Sequence, residues 1–149
     1  MSGSKINIEV NGSIEVDNGS ILELETGSTI DIKQNAKIIV KRGGRLIMNS
    51  GSTINVENGG RIIIENDGSL DYFKNAILKL TGNSVCEIKG MLNIKNNATF
   101  TFTSNTSQKG YLLFSNTSLF PSRNITAGVS ANINITESSQ SRKVLQIDI

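Results

Sequence analysis

Four carboxylates, Asp31, Asp71, Glu23 and Glu15, are the side chains of this sequence best suited to acid–base chemistry. If they converged beside Lys or Arg, they could act as general acid and base, and their oxygens could also hold a hard cation such as Ca²⁺. The chain has no histidine. That absence excludes Ser-His-Asp and Cys-His nucleophilic machinery and the usual zinc sites.

The single cysteine, Cys86, is the other candidate for chemistry. It follows Val85 at a position that is aliphatic in every comparable segment, so we interpret it as a small core hydrophobe and not as a reactive thiol. The Gly-rich stretches at 42–45 and 58–61 lack a phosphate-binding fingerprint and a following helix. The sequence therefore supports no catalytic, cofactor-binding or metal-binding residue, and we expect no enzyme activity and no cofactor.

A repeat of eight residues decides where these side chains lie. From residue 3 to residue 90 the chain divides without a gap into eleven octads. The first position of every octad is Gly, Asn or Asp, the residue types that tolerate positive φ. These residues are Gly3, Asn11, Gly19, Gly27, Asn35, Gly43, Gly51, Gly59, Asp67, Asn75 and Asn83.

Each octad also has the alternation of a short strand with one buried face. The fourth position is Ile, Leu or Cys86, the sixth is apolar throughout, and the third and fifth are mostly polar. The second position is always small, as a crowded bend requires. Each octad therefore predicts one strand and one corner.

The fold class predicted is all-β: a single-stranded parallel β-helix, right-handed and triangular, with three octads per coil. The best octad matches lie three octads apart, as GSTIDIKQ and GSTINVEN do. Two octads per coil remain an alternative. With three, Asp31 stacks on Asn7 and Asn55, Glu15 on Ile39 and Glu23 on Ile47. The four carboxylates are then expected on different columns or opposite faces of a solvated surface.

The regular repeat covers residues 1–102, and we expect residues 103–149 to form irregular last coils and a C-terminal strand or cap of the same domain. A slip of two residues after Asn83 predicts one shortened corner. Further strands are predicted at 111–114, 131–136 and 144–149, with loops between them around Pro121. Ending on a strand also favours a segment of a longer protein.

An outward aliphatic stripe is the one candidate interaction surface. Ile39 and Ile63 are predicted to stack one coil apart, flanked by Lys37 and Arg61, with Ile47 around the corner. Such a stripe can be a lateral interface. The alternative is that β-branched residues simply suit an exposed strand.

The GSTIDI and GSTINV units resemble the octad β-helix repeats of large secreted and outer-surface bacterial proteins, and the resemblance covers residues 3–102. It implies a stalk, spacer or adhesive segment in an extracellular or cell-surface protein. It does not imply a particular ligand.

The distribution of charged and apolar residues limits the classes of partner that this chain could bind. The 15 basic and 13 acidic residues interleave, which excludes nucleic acid as a partner, and no apolar run is long enough for membrane insertion. We expect a non-catalytic structural module whose partners are another copy, neighbouring domains of a longer chain or a glycan surface. A carbohydrate-binding or polysaccharide-cleaving module and a self-assembling filament unit are the alternative functions.

Overall fold

A computed structural model describes residues 3–94, with side chains through Asn93, and the backbone of strands at 99–104, 110–114, 125–127, 132–137 and 143–147. Between residues 3 and 94, strands of four residues alternate with short corners. They are β1 (Lys5–Ile8), β2 (Ser13–Val16), β3 (Ile21–Leu24), β4 (Thr29–Ile32), β5 (Lys37–Val40), β6 (Arg45–Met48), β7 (Thr53–Val56), β8 (Arg61–Ile64), β9 (Ser69–Tyr72), β10 (Ile77–Leu80), β11 (Val85–Ile88), β12 (Met91–Ile94), β13 (Thr99–Ser104), β14 (Gly110–Phe114), β15 (Ile125–Ala127), β16 (Asn132–Glu137) and β17 (Lys143–Ile147).

The strands form three parallel sheets, and consecutive strands enter the three sheets in turn. Sheet A has the order β1-β4-β7-β10-β13-β16, sheet B runs from β2 through β5, β8, β11 and β14 to β17, and sheet C from β3 through β6, β9 and β12 to β15. Ile6 pairs with Ile30, and Ile38 with Ile62, each three octads further along the chain. The triangular β-helix with three octads per coil is therefore confirmed, and two octads per coil is wrong. Right-handed winding stays the expectation, because parallel crossovers have that sense in nearly all proteins.

The corners show why the first octad position is restricted. Ten of the eleven predicted residues have positive φ, among them Asn11 at 62° and Asn35 at 56°. A β-turn hydrogen bond closes the bend, as from the N–H of Gly12 to the carbonyl of Glu9 at 2.7 Å. The exception is the last corner of the regular series, where Gly82 and not Asn83 adopts positive φ.

The core is a column of aliphatic side chains from the fourth and sixth octad positions. Ile30, Ile38, Leu46 and Ile54 are at most 1% exposed, and the same holds for their equivalents in the next coil. Tyr72 is the largest buried residue, and its hydroxyl donates a hydrogen bond to the carbonyl of Ala76, so the buried polar atom has a partner.

The predicted slip lies between β11 and β12. Met91 pairs with Ser69, whereas a full three-octad separation would pair Ser69 with Asn93, so this corner is two residues shorter than the others. Strand β13 continues to Ser104, across the predicted limit of the regular region at residue 102. The strands predicted at 111–114, 131–136 and 144–149 correspond to β14, β16 and β17. The loop that contains Pro121 lies outside the described residues.

Candidate functional site

The predicted lateral surface lies mainly on the outer face of sheet B. Ile39 pairs with Ile63, and Lys37 pairs with Arg61, in adjacent strands. The two isoleucines are half-buried, whereas Lys37 and Arg61 are exposed. The structure therefore brings these four residues together on one face, and Ile47 lies around the corner on sheet C, where it is also half-buried.

Acidic residues border the Ile39–Ile63 pair at both ends of its column. Glu15 pairs with Ile39, and Glu87 pairs with Ile63. The Nζ atom of Lys41 lies 2.9 Å from a carboxylate oxygen of Glu15. This hydrogen bond and the positive charge of Lys41 lower the pKa of Glu15. The apolar part of the surface is thus two residues long, and its role as an interface stays a prediction.

Asp31 lies in the sheet A column where the sequence places it, between Asn7 and Asn55, but it is only 8% exposed. The Nζ atom of Lys5 is 2.7 Å from one carboxylate oxygen, and the Asn55 amide donates to the other at 2.8 Å. Burial raises the pKa of Asp31, but the hydrogen bonds from Lys5 and Asn55 and the charges of Lys5 and Lys33 outweigh it, so the pKa is lowered.

Asp71 is the second carboxylate that the sequence predicts to be solvated, and it is 1% exposed. A guanidinium nitrogen of Arg45 donates to one of its oxygens, and the Asn93 amide donates to the other at 2.7 Å. The predicted exposure of Asp31 and Asp71 is therefore wrong. Long polar side chains of neighbouring coils cover both carboxylates and hold them as ionic links between coils.

The four carboxylates do not form a catalytic cluster. Asp31 lies on sheet A and Glu15 on sheet B. Glu23 and Asp71 share one column of sheet C, contrary to the expectation of separate columns, but Ile47 lies between them. Within residues 3–93, no three His, Cys, Asp or Glu side chains come close enough to hold a metal ion.

Cys86 is completely buried in the core, as its octad position predicts. Burial in apolar surroundings raises the pKa of its thiol to about 12. The thiolate, which is the nucleophilic form, is therefore scarce at neutral pH.

The shortened corner leaves a polar notch that the sequence analysis did not identify. Arg42, Glu65, Asn66, Asp67 and Lys89 line a cavity of about 470 Å³ there. Arg42 and Asp67 form an ion pair at 3.3 Å. The two-residue slip of the repeat at 89–90 could have predicted this notch, because the shortened corner there cannot cover the corner at residues 65–67 in the preceding coil.

The first coil is a second feature that the sequence analysis did not identify. Ile6 has an inward octad position and is nevertheless 44% exposed, and the equivalent Ile14 and Leu22 are only partly buried. A cavity of about 220 Å³ opens beside Ile6, Leu24 and Ile30 at this end. The interior of the tube is therefore accessible at the first coil.

Comparison of the chain with protein-family models, with curated proteins and with solved structures finds no match. Among the described residues there is also no helix of the length and hydropathy that a membrane span requires. The β-helix itself is consequently the basis for inferring a function.

Proposed function

We propose that this chain is a non-catalytic structural module, a rigid β-solenoid segment that serves as a spacer, stalk or adhesin segment of an extracellular or cell-surface bacterial protein. The observation that carries the proposal is the filled core that runs from Ile30 in the second coil to Leu92. Inward side chains such as Ile38, Leu46, Ile54 and Ile62 stack in register with no measurable exposure. A solid tube of this kind resists bending because every coil is packed against its neighbours.

Polar contacts between coils support the same role. Lys33 forms an ion pair at 2.9 Å with Glu57 of the next coil, and Asn49 donates at 2.7 Å to Glu23 of the preceding coil. Further polar pairs between successive coils are Asp31 with Asn55 and Arg45 with Asp71. Together these contacts add to the backbone pairing that holds each described coil on the next.

The extracellular bacterial setting rests on the resemblance of the octads to repeats of secreted and outer-surface bacterial proteins. The units GSTIDI and GSTINV carry this resemblance.

A distance measurement tests the rigid-spacer role. Seventeen strands at three per coil, with coils about 4.8 Å apart, give a rod about 27 Å long. A Gly/Ser linker of the same residue number would have a root-mean-square span of about 67 Å. Fluorescent domains fused to both ends should therefore show a short, narrow distance distribution by single-molecule energy transfer, clearly distinct from that of the linker control.

A broad distribution like that of the linker would contradict the proposal. A polysaccharide array and an assay for released sugar ends, run on the same protein, test the carbohydrate alternative. Specific binding with cleavage would replace the structural role by an enzymatic one.

A further inference from the structure

The polar notch at the shortened corner exists because two corner residues are missing from the coil that lies over it. The four residues 65–68 separate β8 from β9, whereas only Lys89 and Gly90 separate β11 from β12. Met91 pairs with Ser69, so Gly90, which directly precedes the strand, takes the second octad position. The eighth and first octad positions of this corner are therefore the missing ones.

The short corner is bonded tightly to the coil below it. A Cβ atom on Gly90 would lie 2.2 Å from the carbonyl oxygen of Gly68 and 2.5 Å from that of Glu65, so only glycine allows this approach. The N–H groups of Lys89 and Gly90 both donate to the carbonyl of Ile64, at 2.8 and 3.2 Å. The notch beside this corner is thus a fixed feature of the backbone.

The missing residues leave one backbone donor without its acceptor. At the same corner of the coils below, the N–H of Gly19 donates to the carbonyl of Gly43 at 3.1 Å, and the N–H of Gly43 donates to that of Asp67 at 2.9 Å. Asp67 has the same octad position in the third coil, but its N–H has no backbone acceptor among the described residues. By the same geometry this N–H points into the notch, where an oxygen atom of a ligand could replace the missing carbonyl.

The side chains around this N–H offer both donors and acceptors. Arg42 is 84% exposed and pairs with the Asp67 carboxylate through Nε at 3.3 Å, which leaves its two terminal guanidinium nitrogens as donors. The Asp67 carboxylate is itself 65% exposed. Glu65 adds a second carboxylate to the lining, and Lys89 adds a second cation. The two positive and two negative charges of the lining sum to zero.

We propose that this notch binds a neutral sugar residue of a glycan through its hydroxyl groups. An anion beside Arg42 would also lie close to the carboxylates of Glu65 and Asp67, and a cation beside those carboxylates would lie close to Arg42 and Lys89. A hydroxyl group both donates and accepts hydrogen bonds. Neighbouring hydroxyls can therefore donate to a carboxylate and accept from the Asp67 N–H and the Arg42 guanidinium.

The size and lining of the notch set the expected affinity. Its volume of about 470 Å³ lies within the range of small-molecule sites, about 300–1,000 Å³. None of the lining residues that the structure describes is aromatic, so the site lacks a surface on which a sugar ring could stack. We expect a dissociation constant in the millimolar range for a single sugar. The proposal goes beyond the structural role, since a spacer needs no ligand.

An NMR titration with defined probes tests the site. D-glucose, D-galactose and D-mannose are added separately up to tens of millimolar, and at least one of them should shift the resonances of the Asp67 amide and the Arg42 Nε–H. D-glucuronate and inorganic phosphate serve as anionic probes, and D-glucosamine serves as the cationic probe. Each charged probe should shift these resonances less than the neutral sugar does.

The matched control fills the notch. An Asn-Gly insertion between Lys89 and Gly90 restores a regular corner, because the chain has Asn-Gly-Gly at the same octad positions in residues 58–60. The insertion should leave the far-UV circular dichroism unchanged and slow the hydrogen exchange of the Asp67 amide, which gains an acceptor. It should also abolish the shifts caused by the sugar.

Point variants test the side chains. Arg42→Asn should weaken binding about tenfold, because a charge-assisted donor is lost and asparagine already stands at the equivalent position 18. Lys74→Asn changes an exposed residue with the same octad position at a different corner and should leave the affinity unchanged. Asp67→Asn keeps a residue type that tolerates positive φ but removes a negative charge, so the preference should shift towards D-glucuronate.

Several results would overturn the inference. If no neutral hexose shifts the Asp67 or Arg42 resonances, the notch is not a sugar site, and a short, narrow end-to-end distance in the same protein would leave the spacer role standing. Shifts with phosphate or D-glucuronate alone would refute a neutral ligand. Sugar shifts that persist after the Asn-Gly insertion would place the binding elsewhere. Slow hydrogen exchange of the Asp67 amide in the unmodified protein would show that this N–H is already bonded.

Discussion

Replacing the same residue type in two coils measures how much each coil depends on its neighbours. Ile6 and Ile54 have the same octad position in the same column of sheet A, but Ile6 is 44% exposed and Ile54 is 0% exposed. Isoleucine to alanine removes three carbon groups, each contributing about 0.8 kcal/mol when buried. With the cavity that remains, Ile54→Ala should destabilise the protein by about 3–4 kcal/mol.

Ile6→Ala should cost about 1 kcal/mol, because little more than half of the side chain is buried and no closed cavity forms at the open end. Urea unfolding followed by far-UV circular dichroism, at micromolar protein concentration, gives both values. The midpoint for Ile54→Ala should fall by roughly 1–2 M relative to that for Ile6→Ala, if the slope is that of an average small protein. Equal losses for the two variants would refute the description of the first coil as open.

Three other measurements test the polar and buried groups. The pKa of Asp31 is lowered, so it stabilises the fold above about pH 4 and this contribution is lost as the pH falls through the lowered pKa. Asp31→Asn should thus be less stable at pH 7 by on the order of 1–3 kcal/mol, and its urea midpoint should fall less steeply between pH 5 and pH 2. Cys86, with its pKa raised to about 12, should react with a thiol reagent at pH 8 only as fast as the protein unfolds, and fast labelling in native buffer would contradict its burial. The Ser52 hydroxyl is buried with no hydrogen-bond partner among the described residues, and alanine already stands at the equivalent position 76. Ser52→Ala should therefore increase the free energy of unfolding by about 1 kcal/mol, which urea unfolding would show as a higher midpoint.

The path of the backbone could be predicted from the sequence because its determinants are local. A residue that tolerates positive φ every eight positions specifies the corners, and apolar residues at the fourth and sixth positions specify the inner face. The number of octads per coil followed from the similarity of octads three units apart, as the pairing of Thr29 with Thr53 illustrates. One corner differed because Gly82 and Asn83 both tolerate positive φ, so residue type alone did not choose between them.

The surface could be predicted less well, because exposure depends on side chains of other coils. The alternation of polar and apolar residues shows that the Asp71 side chain lies on the outer face of its strand. It does not show that Arg45 of the preceding coil and Asn93 of the next coil cover this side chain. Ile39 and Ile63 are half-buried for the same reason, because side chains in neighbouring columns cover part of their surface. The open state of the first coil was missed because its octads are identical in pattern to those inside the tube.

The hydrogen bonds that link successive coils run along the axis of the tube, as the bond from Lys41 to the carbonyl of Val16 does at 2.9 Å. Tension applied to the two ends of the chain is transmitted through every coil, but an outermost coil is held by a neighbour on one side only, so its bonds break first and one after another. Each coil of three octads would release about 80 Å of extended chain before the next coil yields. Under tension the protein would unfold coil by coil and dissipate mechanical work in steps. Under compression it would stay a stiff column.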